Sequence, residues 1–494
     1  MSGSATNNTR QAAWIALASF FSFGFTVVSS MILSRYFSKA DYGTYMQVQY
    51  VYHTLLMVFT LGLPKAFSYF LPRVELSQAK SLIRKITNLF FLLGGVFSIL
   101  LFVGATLIAG WLKNPDLASG LRVFSIVPML MLPTMGLEGI LATYKKTFFM
   151  VIYTIVTRSV MLICVSVPAI FWNGRYVDSI IGFGVASVVA FALALYFKYY
   201  PVRNEKNEVC IVGYREILKF SLPLLFASLW GVCIQSADQF FISRFFGNEV
   251  FAEFSNGSME LPFVGMITGA CAAVLSPIFS RLSYEKVDFK KEVLPLWLSV
   301  FEKTSKLIYP LVLYCLFFSD IVMVVLYGGQ YENSGMYFRL KLFVNFFTVV
   351  LYAPFLINTN RVRFYQNVQM YGFFALVVLE YFSILIFNSP YVVTIISVIC
   401  KIGRILCLLF EVARIFRVKF HQIFPVKLIV KIIVPSLFIL MVLRFLIDSY
   451  FSIMTSPLVI FVTSLATYAT LFYLYSIVAH LDYQSIIKPL FKRI

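Results

Sequence analysis

The sequence predicts an all-α polytopic membrane protein with about 14 transmembrane helices, and three observations carry that prediction. Of the 494 residues, 60% are hydrophobic and only 13% are charged, about half the charged share of an ordinary soluble chain. The apolar residues are gathered into runs such as 86–110 and 457–479, and about 20 apolar residues cross a bilayer as a helix. These runs do not alternate as the strands of a membrane β-barrel would. A chain built of two or three water-soluble domains is excluded.

The expected spans are 11–33, 45–70, 86–110, 121–143, 148–172, 179–200, 216–242, 253–280, 307–327, 339–359, 368–388, 391–412, 429–447 and 457–479. The first run is too long for the apolar core of a cleavable signal peptide and reads as a spanning helix. No connection is long enough to form a soluble domain. The net charge is +19. In a soluble protein that would suggest nucleic acid, but here it follows the enrichment of Lys and Arg in cytoplasmic loops. With both termini inside, most of the basic residues fall in cytoplasmic segments, among them Arg73, Lys80, Arg84, Lys85, Lys198, Lys290, Lys291, Arg414, Arg417 and Lys488. The longest such connection carries Leu294, Trp297, Leu298 and Phe301 on one helical face. This predicts a helix lying in the inner interface, with Pro295 in its first turn. The seven cysteines show neither a disulfide framework nor metal-ligand spacing.

The chain also repeats itself. Ser34-Arg35-Tyr36-Phe37 returns as Ser243-Arg244-Phe245-Phe246, and Tyr42-Gly43-Thr44-Tyr45 as Phe251-Ala252-Glu253-Phe254. Each copy follows one apolar helix and precedes another. An even number of spans between them gives both copies the same orientation, as in parallel repeats. The predicted organisation is a six-helix bundle over 1–200, a second over 201–412, and two further helices with a cytoplasmic tail over 413–494.

This pattern, with the 6+6 repeat, the two extra spans and the basic composition, resembles the polysaccharide-biosynthesis (O-antigen type) flippases. They form a family of the multidrug/oligosaccharidyl-lipid/polysaccharide (MOP) exporter superfamily. The resemblance implies translocation of an undecaprenyl-pyrophosphate-linked oligosaccharide from the inner to the outer leaflet of a bacterial inner membrane. It implies alternating access through a central cavity, no catalysis, no cofactor, no nucleic acid, and a polysaccharide polymerase and a chain-length regulator as partners alongside membrane lipids.

Ionisable residues inside spans cost about 2.5–3.5 kcal/mol each on insertion scales, so they face a cavity or a partner. The cations Lys65, Arg158, Lys401 and Arg404 are candidates for binding a pyrophosphate, which Arg and Lys neutralise by charge and hydrogen bonds. Pairing, for example of Arg158 with Glu138, or snorkelling to the interface is the plainer alternative. The acids Glu138, Asp238 and Glu260 are either coupling-ion sites or partners of those cations. His53 is a proton relay or a satisfied histidine. Arg35 and Arg244, at equivalent repeat positions, are gate contacts or cations at helix C-termini. Pro128, Pro133, Pro223 and Pro262 are expected to kink spans, and Gly265 with Gly269 to bring two helices close. The chain has no phosphate-binding Gly-rich loop for ATP. Energy must come from gradients, and moving one negative charge outward gains about 2.3 kcal/mol per 100 mV. A MATE-like ion-coupled multidrug exporter is the alternative, with an acidic cavity for cationic drugs. A membrane enzyme of polysaccharide assembly is the third reading, and it would be expected to carry a catalytic loop.

Overall fold

Hydrocarbon offers the backbone no hydrogen-bond partners, so a spanning chain must satisfy itself within helices. The computed structural model describes residues 2–172, 174–285, 287–349, 352–359, 361–450, 456–481 and 483, and its elements are all helices and turns. The expected tail cations Lys488, Lys492 and Arg493 lie outside the described residues. Among the described residues ten helices are long and apolar enough to cross a membrane, or up to thirteen if each of three bent pairs is one span. Of the residues expected to form an eighth span, 253–280, the first five end the helix Tyr214–Gly257, and 262–280 make up most of the separate helix Pro262–Tyr284.

The chain packs as two units, Met1–Ala252 and Glu253–Ile494. The first holds α1 (Ser2–Tyr36), α2 (Lys39–Phe59), α3 (Pro64–Phe70), α4 (Leu76–Trp111), α5 (Leu117–Phe124), α6 (Val127–Met131), α7 (Leu137–Thr143), α8 (Phe148–Phe171), α9 (Tyr176–Tyr199) and most of α10 (Tyr214–Gly257). Within it α8 packs between α1 and α9, and α4 lies against α5 and α6. With 36 residues, α4 is about 54 Å long at 1.5 Å per residue, so it extends beyond a ~30 Å hydrocarbon layer.

The repeated motif marks a helix break in both copies. The first helix ends at Tyr36, and Ser38 caps α2, its hydroxyl oxygen accepting the Asp41 N–H at 3.1 Å. The equivalent position in the second copy is Gly247, whose φ of 86° interrupts α10. After each break the motif aromatics turn inward, with Tyr42 and Phe251 0% and 1% exposed. Gly43 is required here for space, because a Cβ would overlap the Asn248 carbonyl.

The prolines behave differently from expectation. Pro128 and Pro262 stand in the first turns of helices, and Pro133 starts a 3-10 turn. In such places the missing N–H costs nothing. The span expected at 121–143 is consequently four short pieces, with Gly136 at φ 78° opening the last. Pro223 does lie inside its helix, as do Pro168, Pro310 and Pro435.

The second unit holds α11 (Pro262–Tyr284), α12 (Phe289–Glu292), α13 (Leu294–Phe317), α14 (Ser319–Tyr327), α15 (Ser334–Leu342), α16 (Asn345–Thr348), α17 (Tyr352–Asn358), α18 (Val362–Phe387), α19 (Pro390–Phe416), α20 (Phe420–Ile423), α21 (Val426–Tyr450) and α22 (Pro457–Val478). Here α18 packs on α19, α13 on α21, and α14 on α15 and α22. The expected interfacial helix is corrected. Residues 294–301 are the first turns of α13, which runs unbroken to Phe317 before an 80° bend. Two residues of its apolar face are buried in protein, Phe301 at 0% and Trp297 at 2% exposure: Trp297 packs against Phe355 and Phe416 and donates its indole N–H to the Ile423 carbonyl at 3.2 Å.

Gly265 and Gly269 do not bring helices together either, since a Cβ at either site would have open space. The close approach lies between α8 and α9, where a Cβ on Gly182 would overlap the Cys164 carbonyl. Gly182→Ala is therefore expected to lower the thermal midpoint of the purified protein in detergent, since overpacking costs about 1–3 kcal/mol. Gly265→Ala should leave it unchanged or raise it, because Ala gains about 0.5–1 kcal/mol over Gly within a helix.

Candidate functional site

A half-open cavity of about 650 Å³ lies within the first unit, lined by α1, α7, α8, the turn before α7 and Ala190 of α9. One wall is α1, with Ser19, Ser22, Phe23 and Thr26. The opposite wall is α8, with Tyr153, Thr154, Thr157 and Arg158. Residues 154, 157, 158 and 161 share one helical face, which is why successive turns of α8 line one cavity.

Both Arg158 and Glu138 line this cavity. Arg158 is the eleventh residue of the 24-residue α8, near mid-span. Glu138 is exposed in the first turn of α7. They do not pair with each other. Among the described residues no hydrogen bond or ion pair reaches the Arg158 guanidinium, while Tyr52, His53 and Tyr153 lie within its electrostatic reach. Thr157 and Thr26 donate their hydroxyl protons to carbonyls one turn back, Tyr153 and Ser22, at 2.7 and 2.9 Å. Ser19 does the same to Ile15 at 3.0 Å. These hydroxyls therefore present lone pairs to the cavity, and Arg158 presents N–H donors and positive charge.

The other candidate cations lie elsewhere. Lys65 is exposed in the first turn of α3, just after the chain turns through left-handed Leu61 and Gly62, and it does not line the cavity. In the second unit Lys401 pairs with Glu260 at 3.9 Å. Arg404, one turn along α19, donates to Gln369 at 2.9 Å, and Gln369 donates to the Tyr365 hydroxyl at 3.1 Å. The Arg404 stem runs across Gly372, where a Cβ would overlap it. Asp238 is 4% exposed on α10, accepts the Gln239 N–H at 3.0 Å and lies near Tyr50. Arg244 donates to the Trp111 carbonyl and lies over Phe245, and Arg35 sits in the last turn of α1.

Two features escaped the sequence reading. Lys198, expected among the cytoplasmic cations, is 0% exposed, and its Nζ stands 4.7 and 5.5 Å from the ring centres of Phe67 and Phe90. The signal was present: Ala186, Ala190, Ala194 and Lys198 follow one another at four-residue steps, and the three alanines are buried. The second is a buried polar network behind the motif. Asn114 donates to Thr44 at 2.9 Å and to Gln47 at 2.6 Å, and Gln47 donates to Ser243 at 2.8 Å. Asn248 donates to Thr44 and to the Ala40 carbonyl, both at 3.1 Å. The network ties α2 to the α4–α5 turn and to both sides of the break in α10.

A family model described as polysaccharide biosynthesis protein matches residues 9–283, more than half of the chain. The chain belongs to this family. No curated protein matches it. Among solved structures it is similar to the lipid II flippase MurJ in an inward closed conformation, at 16% identity and a TM-score of 0.68 over 92% of this chain and 98% of that one. It is also similar to an inward-facing multidrug resistance MATE family transporter of the MOP superfamily, at 11% identity, TM-score 0.61, covering 82% and 99%. A third is a MOP superfamily transporter from Pyrococcus furiosus, at 13% identity, TM-score 0.59, covering 83% and 96%. The protein is a multi-pass membrane protein with the MOP transporter fold.

Asn114→Ala removes both donors that Gln47 and Thr44 accept. A buried acceptor left without a partner costs about 1–3 kcal/mol. The thermal midpoint should fall by several degrees, and a double-mutant cycle with Ser243→Ala should show losses that do not add.

Proposed function

We propose that the protein is a flippase that moves an undecaprenyl-pyrophosphate-linked oligosaccharide, an O-antigen or capsule repeat unit, from the inner to the outer leaflet by alternating access. The observation that carries this reading is the guanidinium of Arg158, held near mid-span on the wall of a cavity with no ion-pair partner among the described residues. A bare cation there is costly unless an anion joins it in the working cycle. A pyrophosphate supplies that anion, and the planar Arg fork suits its oxygens. The back-bonded hydroxyls of Ser19, Thr26 and Thr157 accept from sugar hydroxyls. The cavity volume suits a pyrophosphate with its first sugars, with the polyprenyl tail left in lipid.

In this reading the chain is a transporter and not an enzyme. It sits in a bacterial inner membrane with both termini cytoplasmic, and residues 1–200 and 201–412 are the two bundles of the repeat. A polymerase and a chain-length regulator would take the product. Lys65, Lys401 and Arg404 become secondary contacts along the path, with Asp238 and Glu260 as their counter-charges or ion sites, and Arg35 and Arg244 mark the outer gate.

Glu138 supports a second reading, a MATE-like exporter of cationic compounds, because it lines the same cavity. Its position in an exposed first turn allows its charge to stay hydrated, whereas the Arg158 charge lies deeper. Depth favours the anionic substrate.

The test is complementation of a deletion strain, with lipid-linked intermediates extracted and surface polysaccharide assayed. Loss of a charge-assisted hydrogen bond costs about 1.5–3 kcal/mol. Arg158→Gln should therefore cut surface polymer at least tenfold and leave the lipid-linked precursor accumulated, with Arg158→Lys intermediate and Glu138→Gln close to wild type. Normal polymer in the deletion strain, with raised retention of a cationic dye that Glu138→Gln fails to relieve, would establish the exporter instead.

A further inference from the structure

The corner that joins α19 to α21 carries charge that neither the cavity nor the repeat explains. Between Glu411 and Asp448 the chain has no acidic residue, yet it holds Arg414, Arg417, Lys419, Lys427, Lys431 and Arg444. The first five are all exposed. The acid that precedes this stretch, Glu411, is 6% exposed and is already occupied by Arg361 at 3.4 Å and Arg414 at 3.7 Å. Among the described residues the side chains of Arg417, Lys427 and Lys431 have no hydrogen bond or ion pair.

The corner has a defined shape. Arg417, in the left-handed region at φ 54°, ends α19, and the short α20 turns the chain into α21. Phe420 stacks on Phe410 with ring centres 4.5 Å apart, and Ile423 is buried beneath Trp297. The cations are thus presented from a packed platform.

Below them α21 shows a continuous apolar stripe. Lys427 and Lys431 lead at helical spacing into Val434, Phe438, Met441 and Phe445, which are 55%, 70%, 62% and 69% exposed. A stripe of this kind on a spanning helix faces acyl chains. Cations one turn above it stand at the depth where lipid phosphates lie.

We propose that this corner is a docking surface for the headgroups of anionic phospholipids, with their acyl chains lying along the α21 stripe. The charge supplies selectivity and the stripe supplies depth, and a soluble acidic protein would use only the first. Arg417 and Lys427 approach the phosphate from the two sides of the α20 turn, and Lys431 follows one turn into the helix. The surface is independent of the Arg158 cavity, so transport can fail while lipid selection persists, and the reverse.

The test uses the full-length protein in nonionic detergent, titrated with phosphatidylglycerol or phosphatidylcholine, with retained lipids counted by native mass spectrometry. Each cation near an anionic surface is worth about fivefold in binding. The triple variant Arg417→Gln, Lys427→Gln, Lys431→Gln should therefore weaken phosphatidylglycerol retention by on the order of 100-fold and leave phosphatidylcholine unchanged. A control with Lys290, Lys291 and Arg363 each changed to Gln should retain phosphatidylglycerol as the wild type does. Raising salt on the wild-type protein should release the same selectivity, which keeps the test valid if the triple variant folds poorly. Equal retention of the two lipids by wild type, unchanged retention in the triple variant, selectivity that survives high salt, or an equal loss in the control would each overturn the proposal.

Discussion

An unpaired charge is expensive in a hydrocarbon layer, and that cost organises this protein. Several cations within or beside its spans have partners of different kinds. Lys401 has Glu260, Arg404 has Gln369, and Arg444 has Asp320 at 2.7 Å and Asp448 at 2.9 Å. Lys306 has Glu302 at 2.6 Å, and Lys85 donates to the carbonyls of Cys210 and Val212 at 2.8 and 2.9 Å. Lys198 has the faces of two aromatic rings, whose negative quadrupoles attract a cation. Against that background the guanidinium of Arg158, which lines a cavity near mid-span and has no hydrogen bond or ion pair among the described residues, points to function.

The repeated motif meets a different constraint. A chain that leaves one helix and starts another inside a packed bundle exposes backbone groups that must be satisfied. The first copy does this with a serine cap at Ser38, the second with a left-handed glycine at Gly247. The residues after each break are then buried. The amide side chains of Gln47, Asn114 and Asn248 connect the strands of this arrangement, and a buried network whose members are satisfied holds one geometry against alternatives. The motif is thus chiefly about how helices end and meet, which explains why it identifies a fold more sharply than a substrate.

Much of this was legible in the sequence. Long apolar runs gave the all-helical spanning architecture, and the position of Arg158 in the middle of one made it a candidate, which the structure places on the cavity wall. What periodicity could not give was the third dimension. A single apolar run at 121–143 reads as one helix, but Pro128, Pro133 and Gly136 each fit a helix start or turn, and together they divide it. Gly265 and Gly269 have the spacing of a packing motif yet face open space, while the unheralded Gly182 makes the close contact. Glu138 and Arg158 lie twenty residues apart and their pairing was a fair expectation; only the placement of α7 against α8 shows that they share a cavity without touching. Lys198 read as a loop cation because basic residues usually are, and only the alanine stripe before it hinted at burial.

The central claim is that the cavity takes its substrate through the charge of Arg158. The most direct measurement is translocation in proteoliposomes of a fluorescent polyprenyl-linked sugar, carried once on a pyrophosphate and once on a neutral linker. The account predicts that the wild-type protein moves the pyrophosphate form at least tenfold faster than the neutral one, the worth of one charge-assisted hydrogen bond, and that Arg158→Gln abolishes this preference. Equal rates for the two lipids, or a preference that survives Arg158→Gln, would contradict it.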